Sequence, residues 1–169
     1  MKKYVFKPYS SQYNELFEKE KNRIAAVLKG PAQIEHVGSS AIPGLGGKGI
    51  IDIAVATKSK EEIADDLLIL GYEFCLGFSS EERFFFKITL PDLQEGQRVY
   101  HVHVMEPKSP EFENMIFFKD YLTTHPVEAK EYEKLKKKAA LASHEEGRIY
   151  RQLKEPFIQK VLKKKQASF

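Results

Sequence analysis

Three short runs hold the residues whose types and spacing could do chemistry. Gly38-Ser39-Ser40 is a turn in which backbone amides and small hydroxyls can approach a phosphate, most of all at a helix start. Asp52 is the one acid in the otherwise apolar run 50–56. A carboxylate inside an apolar strand needs a partner, because a lone buried charge is very costly. A Mg²⁺ ion bridging to phosphates would be such a partner; backbone amides in a purely structural role would be another. His101 and His103 stand two apart in the run 98–105, so on a strand both imidazoles face one way. With Asp52 and His36 they could hold Zn²⁺, Mn²⁺ or Fe²⁺. They could equally donate to a ligand phosphate, serve as acid and base, or bond to water at a sheet surface. Arg83 and Lys87, four apart and on one strand face, join Lys48 as cationic candidates. The guanidinium fork suits phosphate or carboxylate; taken singly, each of the three also reads as a solvated charge.

The elements that must position these groups follow from periodicity. Residues 11–29 repeat apolar positions at three- and four-residue steps and predict a helix that stops at Gly30-Pro31. Residues 32–37 predict a short strand and residues 50–56 a central one. Between them lies the least regular stretch, with four glycines in positions 44–49. Residues 59–70 predict a second helix, with Ser59 and Glu62 spaced as a capping box and Gly71 ending it. Residues 72–76, 83–90 and 98–105 predict three more strands. Cys75 lies in the apolar run 72–78 and reads as a buried structural thiol. Beyond Pro107, residues 110–124, 126–142 and 145–165 predict three helices. The lysine triplets 136–138 and 163–165 read as solvated helix faces. His125 and His144 read as helix-end residues, and the phenylalanines at 84–86 and 117–118 as core. The expectation is one α+β domain over residues 1–169. It has a mixed sheet with flanking helices over about 1–106 and a helical C-terminal part over about 107–169.

The chain has 169 residues, close to one average domain. Its 42% hydrophobic and 30% charged residues place it among globular chains and exclude collagen-like and broadly disordered ones. One cysteine excludes a disulfide framework and a Cys-based zinc finger, and points to a reducing, cytoplasmic compartment. The basic N-terminal stretch has no apolar run after it, so no signal peptide is expected, and no window is apolar enough for a membrane span. Residues 1–105 carry 13 Lys+Arg against 14 Asp+Glu, and residues 106–169 carry 14 against 10. That tilt suits an anionic small ligand and falls short of the dense basic stripe of a nucleic-acid binder.

The run His36-Val37-Gly38-Ser39-Ser40-Ala41-Ile42-Pro43-Gly44-Leu45, followed by Lys48 and Ile50-Ile51-Asp52-Ile53, resembles the signature of the GrpB family. So do Arg83-Phe84-Phe85-Phe86-Lys87, His101-Val102-His103-Val104, Phe118-Lys119-Asp120-Tyr121-Leu122 with His125-Pro126, and Phe157-Ile158. The resemblance covers nearly the whole chain. It implies the nucleotidyltransferase fold, whose active members carry a Gly-Ser turn, two acids one residue apart on the next strand and a third on a later strand, for two-metal phosphoryl or nucleotidyl transfer. Some family members are fused to a dephospho-coenzyme A kinase, which points toward nucleotide or coenzyme metabolism. Gly38-Ser39 and Asp52 match that pattern. Position 54 is Ala54, and the later strand offers His101 and His103 in place of an acid. The resemblance implies a nucleotide or another phosphorylated small molecule as ligand. Gly38, Ser39, Ser40, Lys48, Arg83 and Lys87 would contact it, and Asp52, His101 and His103, with His36, would hold a divalent metal such as Mg²⁺, Mn²⁺ or Zn²⁺. Two alternatives stay open: a binding module that has lost catalysis, favoured by Ala54, and a metal-dependent hydrolase built on the histidines and Asp52.

Overall fold

The computed structural model describes residues 5–144 and 146–167. A five-stranded mixed sheet carries the fold. Its strands are β1 (Gln33–Val37), β2 (Ile51–Ala56), β3 (Glu73–Phe74), β4 (Arg83–Asp92) and β5 (Gly96–Met105), in the order β1-β2-β5-β4-β3. Only β2 and β5 run parallel; every other neighbouring pair is antiparallel. The helices are α1 (Gln12–Ala25), α2 (Lys60–Ile69), α3 (Pro110–Thr124), α4 (Pro126–Ala142) and α5 (Gly147–Ala167). This is the mixed α+β architecture that the sequence predicts. The first residue of the predicted third C-terminal helix, Glu145, lies outside the described residues.

Alternation along β2 and β5 gives the sheet two different faces. Ile51, Ile53 and Val55 join Tyr100, Val102 and Val104 on one face, under Tyr13, Phe17 and Ile24 of α1 and Ile63 and Leu67 of α2. Asp52, Ala54 and Ala56 look the other way with His101, His103 and Met105. Phe112 of α3 covers Val37, Ala54, Ala56 and Met105 at one end of that second face. The helical part has its own core, where Leu122, Tyr132 and Val161 close on Ile42 and Leu45. Those two side chains belong to the loop after β1, so this loop ties the helices to the sheet.

Four local expectations need correction. The third strand is only two residues long: Tyr72 turns into the core, where its hydroxyl donates to Glu20 at 2.5 Å, and the chain leaves the sheet at Cys75 for a 3₁₀ turn, Leu76–Phe78. Cys75 is half-buried rather than buried, and burial still pushes its thiol up. Ser59 makes no side-chain cap; its N–H instead donates to Thr57 Oγ1 at 3.1 Å. Helix α1 ends at Ala25, because the following N–H groups tighten into a final turn and Lys29 N–H is drawn to Asp66 of α2. Among the described residues, no helix is long and apolar enough to cross a membrane.

Candidate functional site

A cleft of about 320 Å³ opens where α3 leaves the second sheet face uncovered, between that face, the glycine-rich loop and α4 and α5. Asp52 sits at its floor. Its Oδ1 accepts from both imidazoles, His103 Nε2 at 3.3 Å and His101 Nδ1 at 3.4 Å. Parallel pairing sets this up: Asp52 is registered against His101 and Ala54 against His103, so all four point to one face. Phe85, across from His103 on β4, wedges its ring edge against both imidazoles at 4.9 and 5.1 Å. Burial pushes the Asp52 carboxyl up, but the two imidazole hydrogen bonds outweigh it and hold the group below the usual carboxylate range. Burial lowers His103, so at neutral pH it is the neutral ring whose Nε2–H serves Asp52.

Gly38 shapes this floor from above. Its φ of +72° and ψ of −171° lie in a region almost closed to other residues. A Cβ there would stand 2.7 Å from Asp52 Oδ2. The freedom of Gly38 therefore serves the approach of the turn to Asp52, and Gly38 does not line the cleft as a phosphate contact. Ser39 and Ser40 do line it. The Ser40 hydroxyl, however, is tied to His36 Nε2 at 2.9 Å.

His36 does not join Asp52. On β1 it is registered against Ile53, so it shares the sealed face and stacks on Phe17 at 4.7 Å. Burial pushes its imidazole down to about 4, with Asp52 raising it and Lys119 lowering it by smaller amounts. Lys87, although registered against His101, is exposed, pairs with Glu73 of β3 at 3.4 Å and is absent from the cleft wall. Lys48 and Arg83 are in the wall. The Lys48 ammonium lies 4.3 Å from the Tyr150 ring centroid, and Arg83 pairs with Glu111 at 3.3 Å while donating to the Phe78 carbonyl.

The helices add residues that the sequence reading passed over. Lys136, expected on a solvated face, is 2% exposed. Its Nζ donates to Ser39 Oγ at 2.7 Å and to the Gly46 carbonyl. Burial, with Lys154 next, pulls this ammonium down to about 7. Helix α5 contributes Tyr150, Arg151 and Lys154. Lys154 lies over the Tyr150 ring at 4.3 Å and is lowered by burial, and Arg151 lies over Phe78 at 5.2 Å. The periodicity did carry a signal. Lys136 is four after Tyr132 and three before Ala139, both buried, so it belongs to the inner stripe of α4.

The sequence profile described as GrpB protein matches residues 3–164. The chain belongs to the GrpB family. The UPF0157 protein YqkA of Bacillus subtilis (strain 168) is 33% identical over 157 residues, 89% of this chain and 43% of that one. The chain thus spans less than half the length of that relative. Glutamate-rich protein GrpB of Alkalihalophilus pseudofirmus is 30% identical over 160 residues, 91% of either chain. The crystal structure of GrpB from Enterococcus faecalis superposes with a TM-score of 0.79 at 25% identity, covering 96% of this chain and 99% of that one. Likeness to nucleotidyltransferases is distant. The Cid1 poly(U) polymerase covers 77% of this chain at 14% identity and a TM-score of 0.46, too slight to bear on activity.

The two-metal arrangement of active nucleotidyltransferases does not fit this GrpB-family chain. The second acid is replaced by the buried methyl of Ala54, and both imidazoles are closed onto one oxygen of Asp52. One carboxylate and two imidazoles are donor types for a single Zn²⁺ or Mn²⁺. Among the described residues, though, no three His, Cys, Asp or Glu side chains stand so as to hold a metal.

Proposed function

We propose that the protein binds a nucleotide or another phosphorylated small molecule in this cleft, through fixed cationic side chains and the Ser39 turn. One observation carries the reading. Among the described residues, Lys48, Arg83, Lys136, Arg151 and Lys154 line the cleft against a single lining carboxylate, Asp52. Lys136 is buried there, although burying an ammonium group is costly unless something anionic offsets it. The volume is that of a small-ligand pocket. Phosphate oxygens would meet Lys136 and Lys154 from the helices and Ser39 from the turn. Arg83 and Arg151 at the mouth offer forks for a second phosphate. His101 and His103, held by Asp52, supply an acid or base beside the bound group.

Calorimetry with ATP, inorganic pyrophosphate and adenosine, each with and without Mg²⁺, Mn²⁺ or Zn²⁺, tests the reading. ATP and pyrophosphate should bind and adenosine should not. Lys154→Met should weaken ATP at least tenfold, equivalent to about 1.4 kcal/mol. Asp52→Asn separates direct from metal-bridged binding. Direct binding to the cations is unchanged or tightened when a nearby negative charge goes, whereas metal-bridged binding weakens. No binding of either phosphate compound in any condition would overturn the proposal.

A further inference from the structure

Lys136 and Ser39 hold a geometry that phosphate binding alone does not use. Their polar atoms meet at 2.7 Å at the cleft wall, across 97 residues of sequence. Room for the pair is built in: a Cβ at Gly47 would stand 3.2 Å from Lys136 Nζ and 3.4 Å from Ser39 Cβ. The Gly46 carbonyl anchors one hydrogen of the nitrogen; when the amine is neutral, its lone pair can take the direction of the serine hydroxyl in place of the hydrogen that the ammonium donates there. Ser39 also starts a 3₁₀ turn, Ser39–Ala41, which fixes its backbone.

We infer that Ser39 is a nucleophile and Lys136 its general base, and that the pair accepts a phosphoryl or nucleotidyl group from a phosphoanhydride. In this step Ser39 Oγ forms a bond to phosphorus and its proton moves to Lys136 Nζ. The anhydride P–O bond breaks and its electron pair leaves on the departing phosphate oxygen. Lys136, now an ammonium, faces the new phosphoester. Attack by water or an acceptor hydroxyl then breaks the Ser39 Oγ–P bond; Lys136 returns its proton to the departing Oγ, and the proton of the attacking oxygen leaves on the product phosphate or to solvent. Serine–lysine pairing is an established way to activate a hydroxyl.

The amine can act as a base because its surroundings favour the neutral form. The groups facing it are Asp52 from β2, Lys48 and the Ser39 hydroxyl from the loops, Lys154 from α5, and Glu133 and the Tyr132 ring on its own helix. Desolvation and Lys154 outweigh Glu133 and Asp52 and bring it to about 7. The choice of a phosphorus electrophile rests on the phosphate-binding reading; the activation of Ser39 does not.

The test therefore uses an uncharged electrophile, diisopropyl fluorophosphate, on the intact chain, with adducts located by mass spectrometry. Ser39 should be labelled, at a rate that rises through pH 7 and levels off above about 8. Lys136→Arg removes the base, so labelling should fall at least a hundredfold in a chain whose thermal melt shows it still folded. The pH profile of the unaltered protein gives the same information without any variant. Absence of a Ser39 adduct at pH 9, a flat profile between pH 6 and 8.5, or labelling unchanged in Lys136→Arg each overturns the inference. None of these outcomes touches phosphate binding, which calorimetry reads separately.

Discussion

The two faces of the sheet are made from the same strands and behave oppositely. Toward α1 and α2, Ile53, Val55, Val102, Val104 and Phe86 are sealed from solvent in one apolar cluster. One residue along each strand, Asp52, His101 and His103 carry charge and hydrogen bonds into an open cleft. Apolar burial is concentrated on the first face and polar, titratable groups on the second, and a strand period of two keeps them apart. A change on the sealed face should therefore move unfolding and spare ligand affinity, and a change on the cleft face should do the reverse.

Phe86→Ala should give the largest effect, a loss of about 3–5 kcal/mol in denaturant unfolding, from a fully buried aromatic. ATP affinity should hold in whatever fraction stays folded. Gly38→Ala is the sharpest attack on the boundary between the faces. It strains a backbone at φ +72° and drives a methyl against Asp52, with an expected cost of about 1–3 kcal/mol. Adding Asp52→Ala should recover part of that cost, and a double-mutant cycle by thermal or denaturant melts would measure the coupling. Equal costs with and without Asp52 would show that the contact carries no strain.

Lys136→Met should lower pyrophosphate affinity at least tenfold, by calorimetry, while changing unfolding far less than Phe86→Ala does. A further effect, one of pH, concerns His36 on the sealed face. Its folded value, about 4, lies below the ordinary 6.5. A group depressed in this way adds stability that is full above pH 6.5 and lost as pH falls toward 4, where the unfolded chain takes up a proton first. Denaturant melts should show stability falling across that window. His36→Phe should flatten the slope, and a slope unchanged in the variant would assign the loss to other groups.

Much of this was legible in the sequence. The apolar steps of α1, the run 50–56 and the proline-led starts of α3 and α4 fixed where the main elements lie. Asp52 and the His101–His103 pair announced themselves as polar groups in apolar strands. What could not be read was pairing. Whether His36 shares a face with Asp52 depends on the register of β1 against β2, which places it opposite Ile53. Tertiary contacts also hid Lys136. A lysine triplet on a helix looks solvated until the glycine-rich loop folds over its first member. Lys154 and Arg151 carried no local mark at all, because their role arises from where α5 comes to rest.

That resting place has a consequence in time. During synthesis the chain emerges from its N-terminal end, so Asp52, His101 and His103 are available well before Lys136, and Lys136 before Lys154. Until the last helix arrives, the floor of the cleft exists without its far wall. A polyphosphate present then would meet an acid and two imidazoles but few of the cations that line the finished cleft. On the proposed reading, phosphate binding waits for α5 to dock, and a ligand that bridges the turn and α5 would lock that docking in place.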